Sequence, residues 1–216
     1  MKRTLVLTVG LFAASALVSA GLTAQMVVGV GGGISSSTFY GADADEPGKG
    51  SRTGLRVGGF VAIPVANRLS VVPAATWVQK GVSYEDSGDE LKLKSSYIEV
   101  PVLLAVSLTG TESSVGIGVH AGPSVAFEVG CDVEATSGGI TASGSCDDGG
   151  FSDRQSVDFG ALVGATVSVP VGDALSLMFS GGVDFGLRTL DSSDDPDKIK
   201  NRSIYGSVFA AFPVGG

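Results

Sequence analysis

Residues 174–190, ALSLMFSGGVDFGLRTL, decide the fold of this chain. Apolar residues occupy every second position from Leu175 to Leu187, and the positions between them are mostly small or charged. Such alternation is typical of a β-strand with one apolar face, because successive side chains point to opposite faces of a sheet. Residues 114–130 and 154–170 repeat the pattern. We therefore predict an all-β protein.

The alternation continues along the chain and predicts eight strands. They are residues 26–39, 51–65, 68–82, 91–108, 114–130, 154–170, 174–190 and 201–213. The connections after strands two, four and six are tight turns, whereas those after strands one, three, five and seven are longer, acidic and rich in Gly and Ser. Bacterial outer-membrane barrels have this even strand number and this contrast between short turns and long loops. The sequence thus predicts an eight-stranded antiparallel up-and-down transmembrane β-barrel over residues 25–216.

The N-terminus has the layout of a secretory signal peptide. Lys2 and Arg3 precede an apolar run over residues 5–18, and small residues follow it, as in an export signal with its cleavage site. The run of 14 residues is shorter than the roughly 20 that a membrane-spanning helix needs. We predict a cleaved signal peptide over residues 1–24, with a cut after Ala20 as the second choice.

Charge and cysteine content limit the partners. The formal charge is −8, and an acidic chain lacks the basic patch that nucleic acid requires, so we expect no nucleic-acid partner. Cys131 and Cys146 lie in one polar segment of an exported chain, where pairing is the default. A bridge closing a loop of about 15 residues contributes roughly 3 kcal/mol. Two cysteines and one distant histidine cannot complete a zinc shell, and we predict neither a metal centre nor a cofactor.

The chemistry of the two strand faces separates a membrane barrel from a soluble one. The polar face is mostly Gly, Ser and Ala, which suits a narrow lumen, whereas a soluble barrel would carry Lys, Glu and Thr outside. The apolar face carries aromatic residues at two levels, as in the girdles of a bilayer-spanning barrel. These residues are Trp77, Phe127, Phe159 and Phe185 near the loops and Phe179 and Phe212 near the turns. The alternative is a soluble, exported, lipocalin-like barrel that binds a small ligand.

The alternation also predicts a cluster of charges inside the barrel. Its members are Arg56, Lys80, Glu99, Glu128, Asp158, Asp184 and Arg188. Charges in a narrow, poorly hydrated space must pair or shift their pKa values. We predict a salt-bridge plug in which Glu99 lies between Arg56 and Lys80. We also expect Asp158 and Asp184 to share Arg188. The alternative is a gate that admits small ions, which would make the protein a minor ion-conducting barrel.

The sequence shows no catalytic constellation. His120 is the single histidine, and a nucleophilic mechanism would need a nucleophile and an orienting acid within its reach. Ser124 and Glu128 follow on the same face at four-residue steps, about 13 Å each along a strand. That distance is too long for hydrogen bonds. We predict no catalytic residue and a packing role for His120 in the lumen.

The loops hold the remaining candidate sites. Two acidic clusters could offer oxygen ligands to a divalent cation. They are Glu85, Asp86, Asp89 and Glu90 in the second loop and Asp191, Asp194, Asp195 and Asp197 in the last. Their spacing matches no complete calcium loop, so we predict solvated carboxylates. Long loops on a rigid scaffold tend to carry function, which makes adhesion or recognition of an extracellular ligand a hypothesis for the loops, above all for the cysteine-containing third one.

The fourth predicted strand carries a family resemblance. Residues 97–103, YIEVPVL, resemble the YIEVPLL signature of the PorT-type outer-membrane β-barrel family. The glycines at 31–33, Gly122 with Pro123, and the Asp-Phe-Gly run at 158–160 also fit that family. The resemblance implies an outer-membrane location, lipid contact and insertion by the barrel assembly machinery, without an assigned activity. The C-terminus departs from the usual aromatic ending of such barrels, since Phe212 is followed by four further residues.

Overall fold

The structure is a computed structural model that describes residues 25–40, 49–110, 114–146, 155–172, 174–187 and 200–215. Its nine strands are β1 (Met26–Tyr40), β2 (Lys49–Ala66), β3 (Leu69–Asp86), β4 (Asp89–Ser107), β5 (Gly116–Ser137), β6 (Ile140–Ser145), β7 (Val157–Pro170), β8 (Ser176–Gly186) and β9 (Lys200–Val214). The predicted all-β fold is confirmed. In these ranges no helix is long and apolar enough to cross a membrane. The predicted signal peptide lies outside the described residues.

Eight of the strands close into a ring. Each strand pairs antiparallel with its neighbours in the order β1, β2, β3, β4, β5, β7, β8 and β9. The ring closes where β9 pairs with β1, from Met26 opposite Val214 to Tyr40 opposite Lys200. Closure gives the backbone groups of every wall strand a partner on both sides, which a sheet in lipid requires. The predicted eight-stranded barrel is thus confirmed, and the ninth strand, β6, pairs with β5 outside the ring.

The connection between β3 and β4 differs from its prediction. The sequence suggested a long acidic loop after the third strand, but the two strands continue to Asp86 and Asp89 and meet in a two-residue turn. Ser87 and Gly88 both have positive φ angles, 51° and 93°, as a tight hairpin turn of the right twist requires. The long-loop prediction is wrong here, because the Ser-Gly pair allows the strands to remain paired up to the tip.

The third predicted loop is also largely strand. β5 continues to Ser137, turns at Gly138 and Gly139, and returns as β6. The predicted disulfide is confirmed: Cys131 and Cys146 are bonded, with their Cα atoms 5.4 Å apart. The bridge therefore ties the two ends of this extra hairpin together where it leaves the barrel wall.

Burial follows the predicted alternation. Lipid-side residues such as Leu104 are exposed, whereas inward residues such as Glu99 and Val78 are completely buried. Glycine is required at several inward positions, of which two serve as examples. A Cβ added to Gly164 would lie 2.7 Å from Nε2 of His120, and one added to Gly182 would lie 2.9 Å from Oη of Tyr205. The two glycines make the space that these rings fill.

Candidate functional site

The fourth barrel strand supplies the centre of the candidate site. In β4 the side chains of Tyr97, Glu99 and Leu103 are buried, whereas Ile98 and Leu104, on the other parity, are exposed. Because side chains alternate between the two faces of a strand, every second side chain of β4 points into the lumen. The carboxylate of Glu99 is completely buried, so its charge must be balanced by neighbouring groups within the barrel.

Two cations balance the Glu99 carboxylate. Its Oε2 lies 3.6 Å from Nη2 of Arg56 and 3.9 Å from Nζ of Lys80. Lys80 also forms a short, hydrogen-bonded ion pair with Oδ2 of Asp184. The lysine thus joins a carboxylate of β4 to one of β8, and this link crosses the lumen between two walls of the barrel.

Aromatic rings complete the packing around the two cations. The guanidinium of Arg56 lies over the ring of Tyr205, 4.5 Å from its centroid, and Nζ of Lys80 lies 5.9 Å from the centroid of Tyr97. Both distances fall within the range of cation–π attraction. The hydroxyl of Tyr205 is 2.9 Å from Nε2 of His120, which engages the single imidazole of the chain inside the lumen.

The structure brings most of the predicted lumen charges together. We call the five buried ones, Arg56, Lys80, Glu99, Asp158 and Asp184, the lumen network. Glu128 is only half buried and accepts a long hydrogen bond, 3.5 Å, from the hydroxyl of Tyr97. Arg188 lies outside the described residues, so its predicted sharing between two aspartates stays a prediction.

Sequence reasoning missed two residues of this site. Tyr97 and Tyr205 contribute the rings that contact the cations, whereas the predicted lumen cluster contained only charged residues. Both lie on the inward parity of their strands, and both are more than nine-tenths buried. The inward faces of the strands carry mostly Gly and Ser, so an aromatic residue at an inward position is the sequence feature that indicates Tyr97 and Tyr205.

A closed ring with an apolar outer face and charges buried inside is consistent with a membrane-spanning barrel, and a family model supports the same conclusion. The model of the outer membrane protein β-barrel domain matches residues 20–192. This chain belongs to that family. As an outer membrane protein β-barrel domain it is located in the bacterial outer membrane. The soluble lipocalin-like alternative is therefore set aside.

Solved structures share the fold at low sequence identity. OprG of Pseudomonas aeruginosa is 11% identical, with 89% of this chain and 97% of that chain covered and a TM-score of 0.51. Neisserial surface protein A is 14% identical, with 85% and 95% covered and a TM-score of 0.47. Ail of Yersinia pestis, in complex with a heparin analogue, is 10% identical, with 88% and 100% covered and a TM-score of 0.42. No curated protein matches the sequence. At this identity the likeness concerns the fold alone.

The aromatic residues predicted as girdles lie on the outer face of this outer-membrane barrel. Phe127, Phe159, Phe179 and Phe212 are each between 42% and 49% exposed, and Trp77 and Phe185 are half buried on the same parity. Their contact with the two bilayer interfaces stays a prediction. The upper level nevertheless gives a reference height against which the rest of each strand can be measured.

Among the described residues, the barrel strands extend to different lengths beyond the upper aromatic level. Two strands continue far past this level: β3 runs nine residues beyond Trp77, and β5 runs ten beyond Phe127. Two others stop close to it: β7 begins two residues before Phe159, and β8 ends one residue after Phe185. At about 3.3 Å per residue, the taller strands extend about 30 Å past the girdle. We call this extension, residues 81–86, 89–95, 130–137 and 140–145, the rim sheet.

Ion pairs lie within and between the strands of the rim sheet. Nζ of Lys94 donates a hydrogen bond of 2.5 Å to Glu134, and Nζ of Lys92 donates one of 2.7 Å to Glu90. The hydrogen bond from Lys94 is the main cause that lowers the pKa of Glu134 below its ordinary value. The hydrogen bond to Glu90 likewise raises the pKa of Lys92. Lys94 and Glu134 belong to β4 and β5, so their pair helps to keep these long strands in register.

The acidic clusters predicted in the loops have different outcomes. Glu85, Asp86, Asp89 and Glu90 form the tip of the β3–β4 hairpin, where the first three are exposed. The cluster between Asp191 and Asp197 lies outside the described residues. Within the ranges that the structure describes, no three carboxylate, imidazole or thiol groups converge closely enough to hold a metal ion.

Proposed function

We propose that this barrel is a non-enzymatic surface protein that recognises a partner through the rim sheet, while its lumen is plugged. The observation that carries the proposal is the extension of β3, β4 and β5 about 30 Å beyond the aromatic level. Spanning the bilayer requires only about 9–11 residues per strand. Since β3 and β4 have 18 and 19 residues, roughly half of each is available for contacts outside the membrane.

The construction of the rim sheet supports recognition rather than a purely structural role. The rim sheet is held in one shape by a disulfide and by cross-strand ion pairs. Its strands β4 and β5 are also paired continuously, from Ser95 opposite Cys131 to Glu90 opposite Thr136. A rigid surface loses little conformational entropy on binding and so retains more of its contact energy. Pre-organisation of this kind is expected of a binding surface, whereas a wall element needs only the membrane-spanning part.

Charge indicates the kind of partner. The tip of the β3–β4 hairpin carries four carboxylates within six residues, from Glu85 to Glu90, on a chain whose formal charge is −8. Electrostatic complementarity steers association and suppresses partners of like charge. A partner with a basic surface, such as a Lys-rich protein segment, therefore fits the tip best.

The plugged lumen and the lack of enzymatic chemistry belong to the same proposal. The lumen network fills the barrel between β2, β3, β4, β7 and β8, which argues against ion conduction. The imidazole of His120 contacts the hydroxyl of Tyr205 inside the barrel, away from any substrate at the lipid-facing wall. Membership of the PorT-type family and insertion by the barrel assembly machinery are proposed on the resemblance of strand β4.

A shortened hairpin tests the proposal. Val82 pairs directly with Leu93, so replacing residues 83–92 by Asn-Gly should close a two-residue turn and remove the acidic tip. The matched control replaces only Ser87 with Asn, which keeps full length and gives the same Asn-Gly turn. Cells that express wild type or the control should retain beads coated with oligolysine, whereas cells with the trimmed protein should not. Beads coated with oligoglutamate should bind none of them.

The outcomes of this experiment are distinct. The trimmed protein must still reach the outer membrane and change its gel mobility on heating, since its lipid-spanning part is intact. Equal retention of oligolysine beads by trimmed and full-length protein would refute recognition through the tip. A purely structural role would then be favoured.

A further inference from the structure

A cavity in the turn-side half of the lumen lies below the lumen network. Its volume is about 340 Å³, within the range of small-molecule sites. Arg56, His120 and Tyr205 line its buried end, and its lining continues to the exposed residues Ala66 and Arg68 in the β2–β3 turn. The cavity therefore leads from the periplasmic side toward the middle of the barrel.

The charges around this cavity are of one sign. Among the described residues that line it, the charged ones are Arg56 and Arg68, and no carboxylate takes part. This is unexpected in a chain of formal charge −8. Arg56 is 95% buried, and its Nη1 has no hydrogen-bond partner among the described residues. A buried guanidinium nitrogen with an unused donor is costly unless an acceptor reaches it.

The remainder of the wall is mostly apolar. Leu103, Leu162, Phe60, Phe209 and Met178 line the cavity between its two arginines. Phe60 and Phe209 pack edge to face, with ring centroids 5.3 Å apart, so this part of the wall is ordered. A ligand that fits must place an apolar body against these side chains and an acceptor at Arg56.

The surroundings of Arg56 select a single negative charge. Its Nη2 already lies 3.6 Å from the Glu99 carboxylate, and its face is covered by the ring of Tyr205. Its Nη1 has no hydrogen-bond partner among the described residues, and the nearby Glu99 would repel a doubly charged group such as a phosphate monoester. A carboxylate, which carries one charge and accepts from guanidinium groups in good geometry, fits this position.

We propose that the turn-side cavity binds a small apolar monocarboxylate, such as a medium-chain fatty acid, which enters from the periplasmic side. The carboxylate pairs with the guanidinium of Arg56, and the alkyl chain lies against Leu103 and Leu162. Arg68 at the mouth attracts the anion, because a fixed positive charge raises the local concentration of anionic ligands. This inference is independent of recognition by the rim sheet.

Calorimetric titration of the folded chain in lipid nanodiscs tests the site, with empty nanodiscs as the blank for partitioning. The probes are octanoate, octan-1-ol and octylamine, which share a chain and differ in the head group. We expect saturable binding of octanoate at one site and at least tenfold weaker binding of the other two. Equal affinity for octanoate and octanol, or no heat from octanoate above the blank, would overturn the proposal.

Two pairs of variants locate the site. Arg56→Gln should weaken octanoate binding at least tenfold, whereas Arg202→Gln, at an exposed position outside the cavity, should not change it. Ala105→Trp should fill the cavity and abolish binding, whereas Leu104→Trp, on the lipid side of the same strand, should not. The second pair decides the question if Arg56→Gln does not fold. Unchanged binding by Ala105→Trp would refute the location.

The trimmed hairpin variant separates this proposal from the proposed function. Removal of residues 83–92 leaves the cavity lining intact, so octanoate should bind to it as to wild type. If the trimmed variant retained oligolysine beads as wild type does and bound octanoate normally, only recognition by the rim sheet would be refuted. The reverse result would refute the cavity site and leave recognition by the rim sheet standing.

Discussion

The substitution Lys80→Met tests whether the lumen network holds the barrel together. Lys80 is 97% buried and pairs with both Glu99 and Asp184. Methionine keeps much of the length and the apolar stem of lysine but removes the charge. Glu99 would then keep Arg56 as an ion-pair partner, whereas Asp184 would lose Lys80, its ion-pair partner.

The expected loss of unfolding free energy follows from the short distances between Nζ of Lys80 and the two carboxylates. Opposite unit charges about 4 Å apart attract by about 4 kcal/mol at an effective dielectric constant of about 20. Two such pairs are lost, but the cost of desolvating the ammonium group is lost with them. Removal of one partner from a buried pair usually costs about 3–5 kcal/mol, and we expect the free energy of unfolding of Lys80→Met to fall by about that amount.

Urea unfolding in lipid vesicles measures the change, with the fluorescence of Trp77, the single tryptophan, as the probe. The matched control is Lys92→Met, since Lys92 forms its ion pairs on the exposed rim sheet, where such pairs contribute little. Lys80→Met within about 1 kcal/mol of wild type would refute the argument.

Three further predictions concern other parts of the barrel. Gly164→Val should prevent formation of the heat-shifted gel band, because its Cβ meets a buried ring, whereas Gly206→Val has open space and should fold normally; equal folding of both would contradict the packing argument. The double variant Cys131→Ser/Cys146→Ser should keep the heat shift but expose the rim sheet to protease, since a bridge over 15 residues contributes roughly 3 kcal/mol; unchanged digestion would show that strand pairing alone holds it. Arg56→Glu should raise conductance in planar bilayers if the lumen network blocks the pore, and an unchanged current would argue against the plug.

Much of the wall could be predicted from sequence because its signal is local. Each barrel strand places one face in lipid and one in a narrow lumen, so a period of two persists along the chain and shows itself in segments such as residues 174–190. The same parity identified Glu99 and Lys80 as inward charges. Their proximity followed because a barrel of eight strands is too narrow to keep inward side chains apart.

The rim sheet could not be predicted in this way, because the alternation weakens where neither face is in lipid. Residues 83–92 are acidic, basic and polar on both faces, and such a pattern is usual for a loop. What keeps them in strands is lateral pairing, with β2 next to β3 and β5 next to β4. Such lateral pairing leaves no periodic mark in either strand, so the alternation alone did not predict the strands of the long hairpin.

The positions of the charges divide the barrel into parts with different chemistry. Carboxylates dominate the tip of the rim sheet, and the two signs are interleaved in the lumen network. Around the turn-side cavity, the charged residues among those described are arginines. Arg56 belongs to both of the last two parts, since Nη2 faces Glu99 and Nη1 has no partner among the described residues. One guanidinium can serve both because its donors form a rigid fork. A substitution at Arg56 should therefore alter the plug and the cavity together, whereas Lys80 affects the plug and Ala105 the cavity alone.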